Sequence, residues 1–182
     1  MTIKKYAGVC RAASLFMLIL LLGSGCCKMK ETATDENTLN EADDEFETSA
    51  AYTDLNIIAV SDSAAMTTAD TAIRLYAIQA ADLHRQAYKD LENFARWHIR
   101  LPETPDTTHM NVVAKMQQYS GSAFDSAYLY TQKSVLTKAI AEYNKELVAG
   151  RFHIVTAHAV RYLPVIQREL AVADSLRQAY GY

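Results

Sequence analysis

Five histidines are the residues of this chain best suited to chemistry: His84, His98, His109, His153 and His158. A carboxylate-bridged di-iron centre between helices needs Glu-x-x-His pairs on two helices and a Glu from each of two others. No Glu-x-x-His occurs. Asp106-Thr107-Thr108-His109 has the spacing but follows Pro102 and Pro105, and reads as a capping or solvent-facing segment. His158 and Glu169 fall on one helical stripe, eleven residues and about 16 Å apart, too far to share an ion. His98 and His153 lie near predicted helix ends, partly solvated. The three cysteines are Cys10, Cys26 and Cys27, so the body of the chain has no disulfide and no thiolate metal site. No glycine-rich phosphate loop appears, and no serine can be placed beside a His–acid pair. No enzyme activity and no cofactor are expected.

The elements that must position these side chains are helices. Half of the 182 residues are hydrophobic, with only 6 Gly and 3 Pro; long helices suit that composition better than the many tight turns of a sandwich or barrel. A first helix is expected from Thr53 or Asp54, with Leu55, Ile58 and Ala59 on its apolar side and an interruption near Thr67–Asp70. A second carries Ile73, Tyr76, Ala77, Ala80, His84, Ala87, Leu91, Phe94 and His98 at intervals of three and four, one stripe of an amphipathic helix. It should end before Leu101-Pro102, since a proline disfavours helix at the preceding residue. A loop over 102–108 and a short helix over 110–118 follow. Ser122 can cap the next long helix, which runs to Gly150 with Phe124, Tyr128, Thr131, Val135, Ala139 and Tyr143 as its stripe. The last places Phe152, Val155, His158, Tyr162, Val165, Glu169, Val172, Leu176 and Tyr180 on one side, and Pro164 should kink it. The eleven tyrosines fit helix packing with their hydroxyls at the rim. Several single-stripe helices bury their stripes together most economically as a bundle.

Charge divides the chain differently. Lys4, Lys5 and Arg11 precede the apolar run from Ala12 to Leu22. Eleven residues rise about 16 Å as a helix, short of the ~30 Å hydrocarbon core, so residues 1–25 read as an export signal and not a permanent span. Leu22, Ser24, Gly25 and Cys26 resemble a bacterial lipoprotein signal, although Gly23 departs from the usual branched residue. That resemblance implies cleavage before Cys26 and lipid on its side chain; the alternative is an ordinary secretory signal. Residues 28–50 carry two lysines against eight acids and few large apolar side chains. Such a stretch buries too little to order itself, and residues 26–50 are read as a lipid-anchored acidic tether, the alternative being a first helix over 41–50. The remaining domain, 51–182, has 13 basic and 13 acidic side chains. It offers no basic stripe for nucleic acid, so the expected partner is the membrane through the N-terminal lipid, with any protein partner unknown. Cys27 stands where an Asp commonly signals inner-membrane retention, which favours the outer membrane, facing the periplasm.

Within the domain, SGSAFDSAYL (120–129) resembles the S-G-x-x-F-D-x-x-Y motif of the bacterial domain-of-unknown-function 4142 family, described as predicted outer-membrane, ferritin-like proteins. DLHRQAYKDL (82–91) and YLPVIQREL (162–170) agree in order and spacing, and the likeness covers about residues 50–178. It implies an all-α, ferritin-like up-and-down four-helix bundle with an additional short helix, and no settled activity. The family commonly has a histidine in each of its last three long helices. His84 matches the first; the others fall on Gln132 and Glu169. The acids usual in the first helix correspond to apolar residues near Ile57 and Ala59. The resemblance thus implies that His84, Gln132 and Glu169 meet in the core, one per helix. One imidazole, one carboxylate and one amide make a poor metal set, so a hydrogen-bonded polar cluster, vestigial as a metal site, is expected.

Two functional readings follow. The first is an exported, membrane-anchored lipoprotein with a non-catalytic helical bundle of binding or structural role. The second is a metal-binding or redox protein with its site in the bundle core.

Overall fold

The computed structural model describes residues 37–182; the signal, Cys26 and the first part of the acidic segment lie outside them. Five helices and no strand occur among the described residues: α1 (Glu41–Thr67), α2 (Thr71–Ala95), α3 (Thr107–Met116), α4 (Gly121–Ala149) and α5 (His153–Tyr180). The described residues are therefore all-α.

Helix α1 starts twelve residues before the expected Thr53, which corrects the boundary of the acidic tether. Residues 41–50 are helical, and Asp43, Phe46, Glu47 and Ala50 are buried. Among the buried positions of α1, Asp43, Glu47, Ala50, Asp54, Ile57, Ser61 and Ala64 follow one another at intervals of three and four. This is a core-facing stripe in which every second member or so is polar, so hydropathy does not reveal it. Asn40 begins the helix by a reciprocal capping box: its Oδ1 accepts from the Asp43 N–H, and an Asp43 carboxylate oxygen accepts from the Asn40 N–H. Each such cap contributes about 1 kcal/mol.

Thr68–Asp70 separates α1 from α2, and the Asp70 carboxylate caps α2 by accepting from the N–H groups of Ala72 and Ile73. α2 ends at Ala95, before Leu101-Pro102 as its sequence requires, and the Tyr88 hydroxyl donates to the Pro102 carbonyl at 2.8 Å to hold the loop. α3 starts three residues earlier than the expected Met110, because Asp106 caps it. Gly121 takes φ 55° at the start of α4, the left-handed region that glycine adopts without strain; Ser120 is the N-cap residue, in place of the expected Ser122. α5 continues through Pro164 as one element. Its buried face is Val155, His158, Ala159, Tyr162, Ile166, Glu169 and Ala173. Val165 and Val172, expected inside, are displaced by their neighbours Ile166 and Ala173, which keep the heptad spacing that starts at Ala159.

Side-chain bonds fix the helix directions. The start of α1 meets the ends of α4 and α2 and the start of α5: Asn40 donates to the Ala149 carbonyl, Asp43 accepts from the N–H groups of Arg151 and Phe152, and Glu47 accepts from His98. At the other end, Tyr180 of α5 donates to Asp70, the cap of α2. α1 and α2 are thus antiparallel, as are α4 and α5. The connection through α3 returns the chain to the far end, so α2 and α4 run in the same direction, which corrects the expected up-and-down order: the long link over 96–120 crosses the bundle where a short turn would have reversed the chain. α1 packs on α2 and α4, α5 packs on α4 and α2, and α3 lies on α1 and α4. The interior also takes tyrosine: Tyr128 and Tyr143 are fully buried, which corrects the expectation of rim-placed hydroxyls. Tyr128 remains satisfied through Ser61 at 3.1 Å, whereas the Tyr143 hydroxyl has no partner among the described residues.

Candidate functional site

The apolar stripe of α2 carries His84 into the core between Ala80 and Ala87, where the side chain is 1% exposed. An imidazole there needs partners for both ring nitrogens, and two helices provide them. Nδ1 lies 2.6 Å from Asp54 Oδ1 of α1, and Nε2 lies 2.9 Å from Glu169 Oε2 of α5. Asp54 is fully buried and Glu169 nearly so. Burial alone would push His84 down, but the hydrogen bonds and charges of Asp54 and Glu169 outweigh it and raise its pKa to about 10. Burial raises the Asp54 carboxyl to about 6, against the lowering pull of His84. At neutral pH the centre is an imidazolium held between two carboxylates, joining three helices.

The structure thus brings His84 and Glu169 together, as expected, and separates Gln132 from them. Gln132 is fully buried on α4, but its amide donates to Ser61 Oγ at 2.6 Å and to the Tyr128 hydroxyl at 3.1 Å. The place expected of Gln132 is taken by Asp54, which the sequence reading puts at the start of a later-beginning helix. With α1 starting at Glu41, Asp54 becomes an interior residue and supplies the acid that Ile57 and Ala59 lack. The signal was available: Asp54 stands seven residues from both Glu47 and Ser61 on the polar stripe of α1.

These three groups do not suit a metal ion. The two ring nitrogens point to opposite edges of the imidazole, and each already faces a carboxylate. The two acids therefore cannot converge with His84 on one ion at the ~2.1 Å that zinc ligands require. They are suited to a different task. Charge-assisted hydrogen bonds of this kind are about twice as strong as neutral ones, and the pairing lets charges stay buried that would otherwise be costly.

A second polar group lies where α1 begins. The Asp43 carboxylate accepts from the backbone N–H groups of Arg151 (3.0 Å) and Phe152 (3.2 Å), satisfying donors at the start of α5. Glu146 of α4 is buried beside it; burial, with the charge of Asp43, raises its carboxyl to about 7. Gly150 passes so close that a Cβ there would collide with the Glu146 carboxylate. One turn along α1, Glu47 is fully buried, with Oε2 accepting from His98 Nε2 at 2.7 Å and Oε1 unpartnered. Burial raises the Glu47 pKa, and the hydrogen bond from His98 opposes that rise. Asp44, exposed, completes a set with Glu47 and His98 in which one ligand atom from each lies within 4.8 Å of the others.

A groove of about 690 Å³ opens between α1, α3 and α4, with Asp44, Tyr52, Asn56, Asp106, His109 and Lys138 among its lining residues. Its α3 wall is fixed by a reciprocal pair: the Asn56 amide donates to Asp106 Oδ2 at 2.8 Å, and the Asp106 N–H donates to Asn56 Oδ1 at 3.2 Å. The Asp106 carboxylate also caps α3 at His109 and accepts from the His109 ring at 2.7 Å, the capping role expected of that segment. His158 is enclosed by the rings of Phe46, Phe94, Tyr143 and Tyr162; burial lowers its pKa to about 4, so it is neutral. His153 is exposed and bonded to Asn37.

A family model described as Domain of unknown function (DUF4142) matches residues 28–176. The chain belongs to that family. The match spans all five helices up to the last turn of α5 and includes the buried triad. No curated protein and no solved structure matches the chain. Among the described residues, no helix is long and apolar enough to cross a membrane.

Proposed function

We propose that this family member is an exported lipoprotein, anchored through lipid on Cys26, whose ferritin-like four-helix bundle is a non-catalytic module for binding or structure. The observation that carries the reading is the use made of His84. Both of its nitrogens are committed to buried carboxylates on other helices, so the polar centre of the core serves to lock three helices together. It has no free nitrogen for a ligand or for proton transfer to a substrate. The ferritin-like reading is supported by the two antiparallel pairs joined by one long crossover, a hallmark of that architecture. Anchoring is supported by the basic start, the short apolar run and the small residues before Cys26. Two or three acyl chains would hold firmly, each buried CH₂ contributing about 0.8 kcal/mol. The bundle begins at Glu41, so from Cys26 the intervening chain is short and the bundle works near the membrane surface, the outer membrane being the favoured one. The groove between α1, α3 and α4 is then the part of the surface shaped to receive a partner or ligand.

The test is fractionation of cells expressing the wild type and Cys26→Ser. The wild type should partition with the membrane and carry lipid in its intact mass. Cys26→Ser should appear in the periplasmic fraction or remain unprocessed. A variant that stays on the membrane with unchanged mature mass contradicts the anchor.

A further inference from the structure

Glu47 is one of the buried groups outside the triad that stay under-satisfied among the described residues. Its side chain is 0% exposed, yet Oε1 has no hydrogen-bond partner among the described residues. Leaving a charged acceptor buried and unpaired is costly. The neighbouring acids make it worse: the charges of Asp43 and Asp44 both press on Glu47, and His98 alone opposes them. Asp44 and Glu47 are three residues apart, which puts both on one face of α1. His98 comes from the turn after α2, fixed there by N–H bonds from His98 and Ile99 to the Ala95 carbonyl.

We propose that Asp44, Glu47 and His98 form a site for one divalent transition-metal ion, with zinc the best match. One donor atom of each residue already lies within 4.8 Å of the others. Donors of a tetrahedral zinc site with ~2.1 Å bonds are about 3.4 Å apart. Closing that gap takes side-chain adjustment by the exposed Asp44 and an opening of the 2.7 Å Glu47–His98 hydrogen bond, with no movement of the helices. On binding, the ion takes the place of the Nε2 proton of His98, which is released to solvent from a protonated ring or moves to Nδ1 in a neutral one, so that the coordinated imidazole carries its proton on Nδ1. The ion would replace that proton as the cation between the two side chains and satisfy the buried carboxylate. An imidazole donor disfavours magnesium and calcium, which prefer all-oxygen sites. Three protein ligands leave a fourth position open, as in zinc sites that hold a water or an exchangeable ligand. Asp44 also lines the groove, so the site borders it. The site is separate from the buried triad and stands whether or not the groove takes a ligand.

Full-length protein, purified in detergent, stripped with chelator and titrated with zinc chloride, provides the test. One zinc ion per chain should bind, with a rise in Tm, and magnesium or calcium should not compete. Asp44→Asn should weaken binding about tenfold or more without disturbing the fold, because its side chain is exposed. Glu47→Gln and His98→Gln should weaken it further, and His109→Gln and His153→Gln should leave it unchanged. If Glu47→Gln fails to fold, Asp44→Asn and His98→Gln decide the matter. Absence of stoichiometric zinc binding at 100 µM metal (about −5.5 kcal/mol), or binding unaffected by Asp44→Asn and His98→Gln, overturns the proposal.

Discussion

Replacing His84 by alanine removes the only cation from a buried site holding two carboxylates. The structure sets the size of the effect. Two charge-assisted bonds, at 2.6 and 2.9 Å, are lost together, and Asp54 is left with no partner at either oxygen. Removing one member of a buried ion pair costs about 3–5 kcal/mol, mostly because the remaining charge is stranded. For a chain of this size that lowers Tm by about 6–20 °C. The cost must depend on pH. Without His84 the acids can relieve themselves only by taking up protons, and Asp54 already titrates near 6 in the folded protein. At pH 5 the penalty should therefore fall to about 1–3 kcal/mol, the cost of neutral hydrogen bonds left unmade. The wild type has its own signature. Its His84 pKa is raised from 6.5 to about 10, so the imidazolium contribution is complete below pH 6.5 and is lost as pH rises through 10. Urea titrations followed by circular dichroism at pH 5, 7 and 9 measure all three quantities. Exchanging the three residues together for apolar ones of similar size should cost much less than the sum of the single changes. A loss below about 1 kcal/mol for His84→Ala at pH 7, or one that does not change with pH, would refute the reasoning.

Two further changes probe the ends and the aromatic part of the core. Asp43→Ala deletes the side-chain half of the capping box, the bond from the Asn40 N–H, and two backbone bonds to the start of α5; it should destabilise by about 1–3 kcal/mol in urea unfolding. His158 has a folded pKa lowered from 6.5 to about 4, so it contributes a loss of stability as pH falls from 6.5 through 4. His158→Phe should therefore gain on the wild type steadily across that window, read as the difference in Tm at each pH, and a constant difference would show that His158 does not titrate on unfolding.

Most helices could be read from the sequence because their buried faces are apolar. α2 presents Ile73, Tyr76, Ala77, Ala80, Ala87 and Leu91 at helical spacing, and proline and glycine punctuate the regions that follow α2 and α4. α1 broke the rule. Asp43, Glu47, Asp54 and Ser61 face inward, so the stretch before Thr53 looked like solvated acidic chain. Its order depends on partners far along the chain: Arg151 and Phe152 for Asp43, His98 for Glu47, His84 for Asp54. A single segment does not contain that information. The same blindness explains the core. His84 and Glu169 were legible as polar residues on apolar stripes, but Gln132 was joined to them by position along the family pattern alone. A first helix beginning at Thr53 or Asp54 puts Asp54 at its end, whereas a helix from Glu41 makes it an interior residue facing His84. On α5, Val165 and Val172 outrank Ala173 in hydropathy, yet Val165 is only half-buried and Val172 is exposed, because the register set by Ala159, Tyr162 and Glu169 decides which residues face the core.

His84 is a buried imidazolium clamped by Asp54 and Glu169. Nitrogen-detected NMR of protein labelled on histidine measures it directly. The account predicts one histidine with protons on both ring nitrogens at pH 8, titrating near pH 10 and absent from His84→Gln. A His84 ring that is neutral at pH 8, or that carries a metal on either nitrogen in protein purified from its own host, would contradict it.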